Sequence, residues 1–173
     1  MFAVMNAVAR RVPATAALLA TLGVASFSSC GANDGSPQAQ CPGSTLMEHA
    51  TVVCFGSIYV HAELATTYAE RQQGLMGRPP LPDTVAMLFV FAGDAVRDFW
   101  MQGTPSPLSI AYLDSTRTII NILDMAPNTE TIHRSAGPAR YALEVRQGWF
   151  AERGIAPGTK ASFTLPAGLR IDP

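Results

Sequence analysis

The 173-residue chain has no excess of either charge: 12 Lys and Arg stand against 13 Asp and Glu, leaving a net −1. A nucleic-acid binder needs a basic stripe to neutralise phosphates, and this balance supplies none. Catalytic signatures are missing too. Ser106, Ser109, Ser135 and Cys54 are possible nucleophiles, with His61 and His133 as possible bases. No G-x-S-x-G elbow or Cys–His signature surrounds any of them. The stretch "GLMGR" (74–78) lacks the Lys-Ser/Thr of a phosphate loop and follows a helical pattern instead of opening one. His49, His61 and His133 have no His or Cys partner at ligand spacing. Met76, Met87, Met101 and Met125 are soft ligands that suit Cu(I). Met87 and Met101, however, lie in apolar strand patterns where methionine fills gaps. No metal or other cofactor is therefore expected. There is no internal repeat.

A hydrophobic run long enough to span a bilayer comfortably is also lacking. The N-terminus instead has the order of an export signal. Arg10 and Arg11 give a positive region, "VPATAALLATLGVA" an apolar one, and "SFSSC" a small-residue end at Cys30. Ser28 and Ser29 before Cys30 resemble a bacterial lipobox, with Phe27 where Leu is usual. That likeness implies cleavage before Cys30 and acylation of its thiol; a plain signal peptide cut nearby is the alternative. Residues 1–29 are thus expected to be a signal peptide, and 30–48 a lipid-attachment cysteine with a small, polar tether. The folded domain should occupy 49–173. With Cys30 acylated, Cys41 and Cys54 remain as a candidate disulfide in an oxidising compartment. Closing so short a loop stabilises by roughly 3 kcal/mol. The other reading is a buried free Cys54 within "TVVCF".

Prolines and glycines are plentiful, 13 and 14, which favours many turns and short strands. "TVVCFGSIYVHAELA" reads as two strands around Gly56-Ser57. Thr67 and Glu70 fit a capping box that opens a short helix, and Gly74 ends it. "VAMLFVF" is a continuous apolar run, as for a strand buried on both faces. "AGDA" should turn. "RDFWM", "LSIAYLD", "TIINILDM", "RYALEV" and "KASFTL" read as further strands, "APNTETIHRSAGPA" as an irregular connection, and "RQGWFAERG" as one or two helical turns. About eight short strands with little helix predict a mainly β domain, a sandwich or barrel, with an α+β arrangement as the alternative.

Several side chains are candidates for a site. Pro105 and Pro107 hold Thr104 and Ser106 extended and stiffen the loop after "RDFWM". Trp100 can offer a stacking face and Thr104 a hydroxyl to a sugar-like or other small ligand; the structural alternative is that Trp100 fills the core and Thr104 caps a turn. Gln102 and Ser109 can hydrogen-bond a ligand. Glu63 and Glu144 lie in strands and can converge as an acid/base pair. Glu144 points away from the face of its neighbours Leu143 and Val145. Both carboxylates can equally be ion-paired with Arg71, Arg78, Arg97 or Arg140, and Arg78 can clamp an anion or simply form such a pair.

The blocks "ELATTYAERQQGLMGRPPLPDTVAMLFVF", "FWMQGTPSPLSIAYLD", "YALEV" and "GIAPGTKASF" follow in that order. Together they resemble the DUF192 family, also called UPF0127, over about Val60 to Phe163. The resemblance implies a compact, mostly β domain with a short helix, often behind a signal peptide, and no established activity. The family commonly has Lys and Asn where this chain has Gln102 and Gly103, Asp where it has Ser109, and Gly where it has Ala86. If those polar groups form the family's working site, this chain has lost part of it. The expected role is a ligand- or partner-binding domain of the bacterial cell envelope. It would be anchored through an N-terminal lipid, or else secreted or free in the periplasm, and would meet a small molecule, a glycan or an envelope protein. The alternative is a hydrolase acting on an envelope substrate such as a glycan.

Overall fold

Strict alternation of apolar and polar residues after Gly56 demands a half-buried strand, and the hairpin forms as read. A computed structural model describes residues 49–173; the expected signal peptide, the expected lipid-attachment Cys30 and the expected tether with Cys41 lie outside the described residues. Strands β1 (Ala50–Phe55) and β2 (Ile58–Ala65) pair antiparallel, with Gly56 at φ 63 in the turn between them. Val60, Ala62 and Leu64 enter the core, while Tyr59 and His61 are exposed. Cys54 is buried and disulfide-bonded. No helix among the described residues is long and apolar enough to cross a membrane.

Helix α1 (Tyr68–Gln73) opens with the capping box. Glu70 Oε2 accepts from the main-chain N–H groups of Thr66 and Thr67, each at 2.9 Å, and Glu70 N–H donates to the Thr67 hydroxyl at 3.3 Å. The Thr67 amide foremost holds the Glu70 carboxyl below its ordinary pKa. Gly74 ends the helix at φ 44, with the Phe89 ring 3.4 Å from where a Cβ would stand. The helix carries the chain to β3 (Val85–Ala95), which runs parallel to β2. Ala86 to Val90 are buried on both faces, as their unbroken apolar run requires.

The remaining elements are β4 (Asp98–Phe99), β5 (Leu108–Leu113), β6 (Ile119–Met125), β7 (His133–Arg134), β8 (Ala139–Arg146) and α2 (Trp149–Glu152). The main sheet has the order β1-β2-β3-β8-β5-β6, with β2 and β3 its only parallel neighbours; β4 and β7 form a separate two-stranded sheet. The domain is therefore mainly β with a mixed sheet.

Three readings need correction. "AGDA" extends β3: its ladder with β8 resumes at Ala95 opposite Ala139 after an irregularity following Val90. "RDFWM" pairs only at Asp98 and Phe99, because Trp100 and Met101 leave the ladder. "KASFTL" is not a strand. Lys160 bridges to Thr118 near one sheet edge, and Ser162 to Cys54 at the other. A segment that changes partner within two residues builds no ladder, so the sheet is not closed into a barrel. The eighth strand is instead β7, inside what reads as an irregular connection.

Each face of the sheet has its own apolar layer. Val53, Leu88, Leu143 and Val145 meet Trp149 and Phe150 of α2 and Phe163 of the last segment. Phe89, Ile110, Tyr112 and Met125 form the other layer, which includes Leu75 and Met101.

Candidate functional site

Strand β8 runs through the middle of the sheet, between β3 and β5. Leu143 and Val145 fill the first layer, so the period-two alternation sends Glu144 to the second. Its ladder partners there are Met87 on β3 and Ile110 on β5. A carboxyl group thus sits in the centre of an apolar face. It is only 4% exposed. Every other Asp or Glu side chain among the described residues accepts a hydrogen bond; Glu144 accepts none. Burial pushes its pKa up to about 8, which favours the protonated form of the group. Among the described residues the side-chain atom sealed from solvent with no partner is His133 Nδ1; the Glu144 oxygens keep some exposure, and a carboxyl placed in an apolar face requires a reason.

The reason lies above it. A cavity of about 280 Å³ opens over this face, and Glu144 lines it. Phe89, Phe91, Phe99 and Trp100 form aromatic walls, and Thr104, Arg71 and Arg97 add polar groups. Trp100 is 45% exposed at the rim. The Thr104 hydroxyl makes no hydrogen bond, although its main chain is fixed: its N–H donates to the Met101 carbonyl at 3.0 Å. Two uncommitted polar groups, the Glu144 carboxyl and the Thr104 hydroxyl, therefore line one cavity.

The small sheet holds the aromatic wall. Phe99 of β4 stands edge-on to Phe89 (4.8 Å between centroids) and to Tyr112 (5.8 Å). The Tyr112 hydroxyl donates to the His133 carbonyl of β7 at 2.6 Å, tying the two sheets together. Burial, and then the Glu144 carboxylate, raise the Tyr112 pKa, so this donor stays protonated. Arg97 lies over the Phe91 ring, 3.8 Å from its centroid, and donates to the carbonyls of Gly93 and Ala139. Arg71 approaches the same ring at 5.1 Å and donates to the main-chain oxygens of Thr66, Val90 and Pro173. Asp98 also lines the cavity, but Arg134 holds both its oxygens, at 2.7 and 2.8 Å.

Trp100, Thr104 and Glu144 are thus brought together; the other four candidates lie elsewhere. Glu63 and Arg78 bind each other through two hydrogen bonds, at 3.0 and 2.7 Å, beside a second cavity that His49 and Met87 also line. Glu63, Met87 and Glu144 occupy one row of the sheet, which spaces the two carboxyl-bearing Cα atoms by about 10 Å, with the methionine between them. Gln102 donates to Glu130 at the surface, at 3.5 Å. Ser109 faces the other layer, where its hydroxyl donates to Asp124 and accepts from Gly148 N–H at 2.9 Å, joining the sheet to α2. Among the described residues no three His, Cys, Asp or Glu side chains gather as a metal site.

Sequence reasoning did not place Arg71 and Arg97 at the site; it read them only as ion-pair partners. The parity of Met87, Phe89 and Phe91 marks a shared face, but nothing local says that Glu144 adjoins it.

The DUF192 family model, described as an uncharacterised ACR, matches residues 51–163. No curated protein matches the sequence. Similar solved structures include two crystal structures. One is of a Sinorhizobium meliloti protein put forward as a transcription regulator: 28% identity, TM-score 0.63, 70% of this chain and 98% of that one. The other, from Novosphingobium aromaticivorans, is a protein of unknown function: 35% identity, TM-score 0.60, 65% of this chain and 83% of that one. The family match spans nearly all of the sheet, both helices and the cavity walls, and on that ground the chain belongs to the DUF192 family.

Proposed function

We propose that this domain is a small-molecule-binding module of the bacterial cell envelope. The carrying observation is Glu144, an unpartnered carboxyl at an aromatic cavity whose protonated form burial favours. A few convergent polar groups in an apolar concavity are what a ligand site needs for orientation. A protonated carboxyl both donates and accepts, and so does the Thr104 hydroxyl. Trp100 offers a ring face at the rim. The export signal read at residues 1–30 supports placement at the envelope, tethered through Cys30. A hydrolase pairing Glu63 with Glu144 is disfavoured, because Glu63 is held by Arg78 beside the other cavity. The regulator description of the Sinorhizobium protein is not extended to this chain, whose charge balance gives no basic stripe.

A thermal-shift screen of sugars, peptidoglycan fragments, metabolites and metal ions tests the reading, with tryptophan fluorescence as a second readout. A ligand at 100 times its dissociation constant adds about 2.7 kcal/mol of stability. The expected result is a stabilising ligand whose effect disappears in both Trp100→Ala and Thr104→Val while the variants stay folded. A ligand that stabilises both variants as well as the parent would place binding elsewhere and sink the proposal.

A further inference from the structure

The cavity is not electrically neutral, and its charge points to a ligand class. Most described arginines are tied to carboxylates, as Arg134 is to Asp98 and Arg140 to Asp94. The two guanidiniums that line the cavity form no such side-chain pair: Arg97 donates to main-chain oxygens, and Arg71 does the same, one of its acceptors being on the last residue, Pro173, with the Asp172 carboxylate near enough to feel its charge. Pro173 offers Arg71 one oxygen at 3.2 Å; Arg97 has only the Gly93 and Ala139 carbonyls. Both cations crowd the Phe91 ring. Burial and the neighbouring Arg71 charge lower the Arg97 pKa, while the Asp94 carboxylate raises it. The other acid on the cavity wall, Asp98, is neutralised by Arg134.

Resting on the small-molecule reading, we infer that the cavity takes an anionic organic acid of about one ring. Its acid group would pair with Arg97 and Arg71, its ring would lie along Trp100 and Phe99, and an uncharged hydroxyl or carbonyl would meet Glu144 and Thr104. Guanidinium matches a carboxylate or similar oxyanion through paired N–H donors. Glu144 and Thr104 suit a neutral polar group, since a protonated carboxyl and a hydroxyl each donate and accept. A cationic ligand would meet two guanidiniums, and the Asp98 carboxylate on the wall is already held by Arg134. The volume of about 280 Å³ lies at the lower edge of ligand pockets, which limits the occupant to about one ring.

The test is calorimetric titration of the full domain with four probes: D-glucuronate and 4-hydroxybenzoate, and their uncharged counterparts D-glucose and 4-hydroxybenzamide. At least one acid should bind 10-fold or more tighter than its counterpart. Arg97→Gln should erase that preference, Arg97→Lys should keep part of it, and neither should change the melting temperature by more than a few degrees. Equal binding of acid and counterpart, unchanged in Arg97→Gln, would overturn the anion inference and leave the cavity reading standing. So would failure of all four probes alongside an uncharged hit from the broader screen that Trp100→Ala abolishes. Acid binding that survives both Arg97→Gln and Trp100→Ala would overturn the inference by placing the anion elsewhere.

Discussion

The two tryptophans mark the difference between the two faces of the sheet. Trp149 is 1% exposed; its indole N–H donates to the Asp83 carbonyl at 2.8 Å, and Arg153 lies over its ring at 4.5 Å. Every demand of that side chain is met inside the protein. Trp100 is 45% exposed on the opposite face, beside a carboxyl and a hydroxyl with nothing to bind. One face is finished by its own chain, and the other is left to be completed by something else. Large aromatics serve stability when their edges are satisfied and recognition when they are not.

The sharpest way to break that comparison is to truncate each tryptophan. Trp149→Ala removes a fully buried ring that packs on Phe55 and Phe150, and should cost about 3–5 kcal/mol. Trp100→Ala should cost less than about 1 kcal/mol while abolishing ligand binding. Chemical denaturation of both variants checks this. Equal losses would mean that the two faces do not differ as described.

Glu144 offers the next largest effect, with a definite sign. Its folded pKa of about 8 lies above the ordinary 4.5. Between those values the folded protein holds a proton that the unfolded chain has released, so stability falls as pH rises. The slope should be on the order of 1 kcal/mol per pH unit from about 4.5 to 8, flattening above. The groups around it are Tyr112, which stays protonated, Asp98, which Arg134 neutralises, and the cations Arg71 and Arg97. Carboxyls lowered by their partners, such as Glu70 and Asp83, act oppositely: their contribution is present above the unfolded pKa and lost as pH falls in the acid range. Glu144→Gln should remove the slope and leave the protein more stable than the parent at pH 8. Unfolding curves at pH 5, 6.5 and 8 decide it; parallel pH profiles for the two proteins would remove Glu144 as the source.

How much of this was legible in the sequence follows from the range of the interactions. The capping box of α1 lies within four residues, and Thr67 and Glu70 announce it. The burial of β3 is written in its apolar run. The outward turn of Glu144 follows from its neighbours by parity alone. What it turns toward does not, because the order β1-β2-β3-β8-β5-β6 brings Met87 and Ile110 to it from 57 and 34 residues away. The two-residue strand β7 is too short to carry a period, yet it helps hold the aromatic wall. "KASFTL" alternates like a strand but divides its bonds between two edges. Local chemistry was readable; the cavity depends on register, which is not local.

The smallest predicted effect concerns the positions where this chain departs from its family. The resemblance implies Lys and Asn where Gln102 and Gly103 stand, and a working site built from those two groups would make the departure a functional loss. The structure gives Gly103 a different task. It sits at φ 66, where L-residues other than Asn and Asp are disfavoured, and its carbonyl accepts from Gly77 N–H at 2.8 Å. A Cβ there would meet only Met76, at 3.6 Å, an ordinary contact. Asparagine and glycine are thus interchangeable for the backbone. Gly103→Asn should change stability by less than about 0.5 kcal/mol, whereas Gly103→Ala should cost about 1 kcal/mol from the left-handed backbone. Ligand binding should be unchanged in Gly103→Asn and in Gln102→Lys, because neither residue lines the cavity. A gain in affinity from the double replacement would instead put the family's working groups on this loop and move the site from Glu144 to its rim.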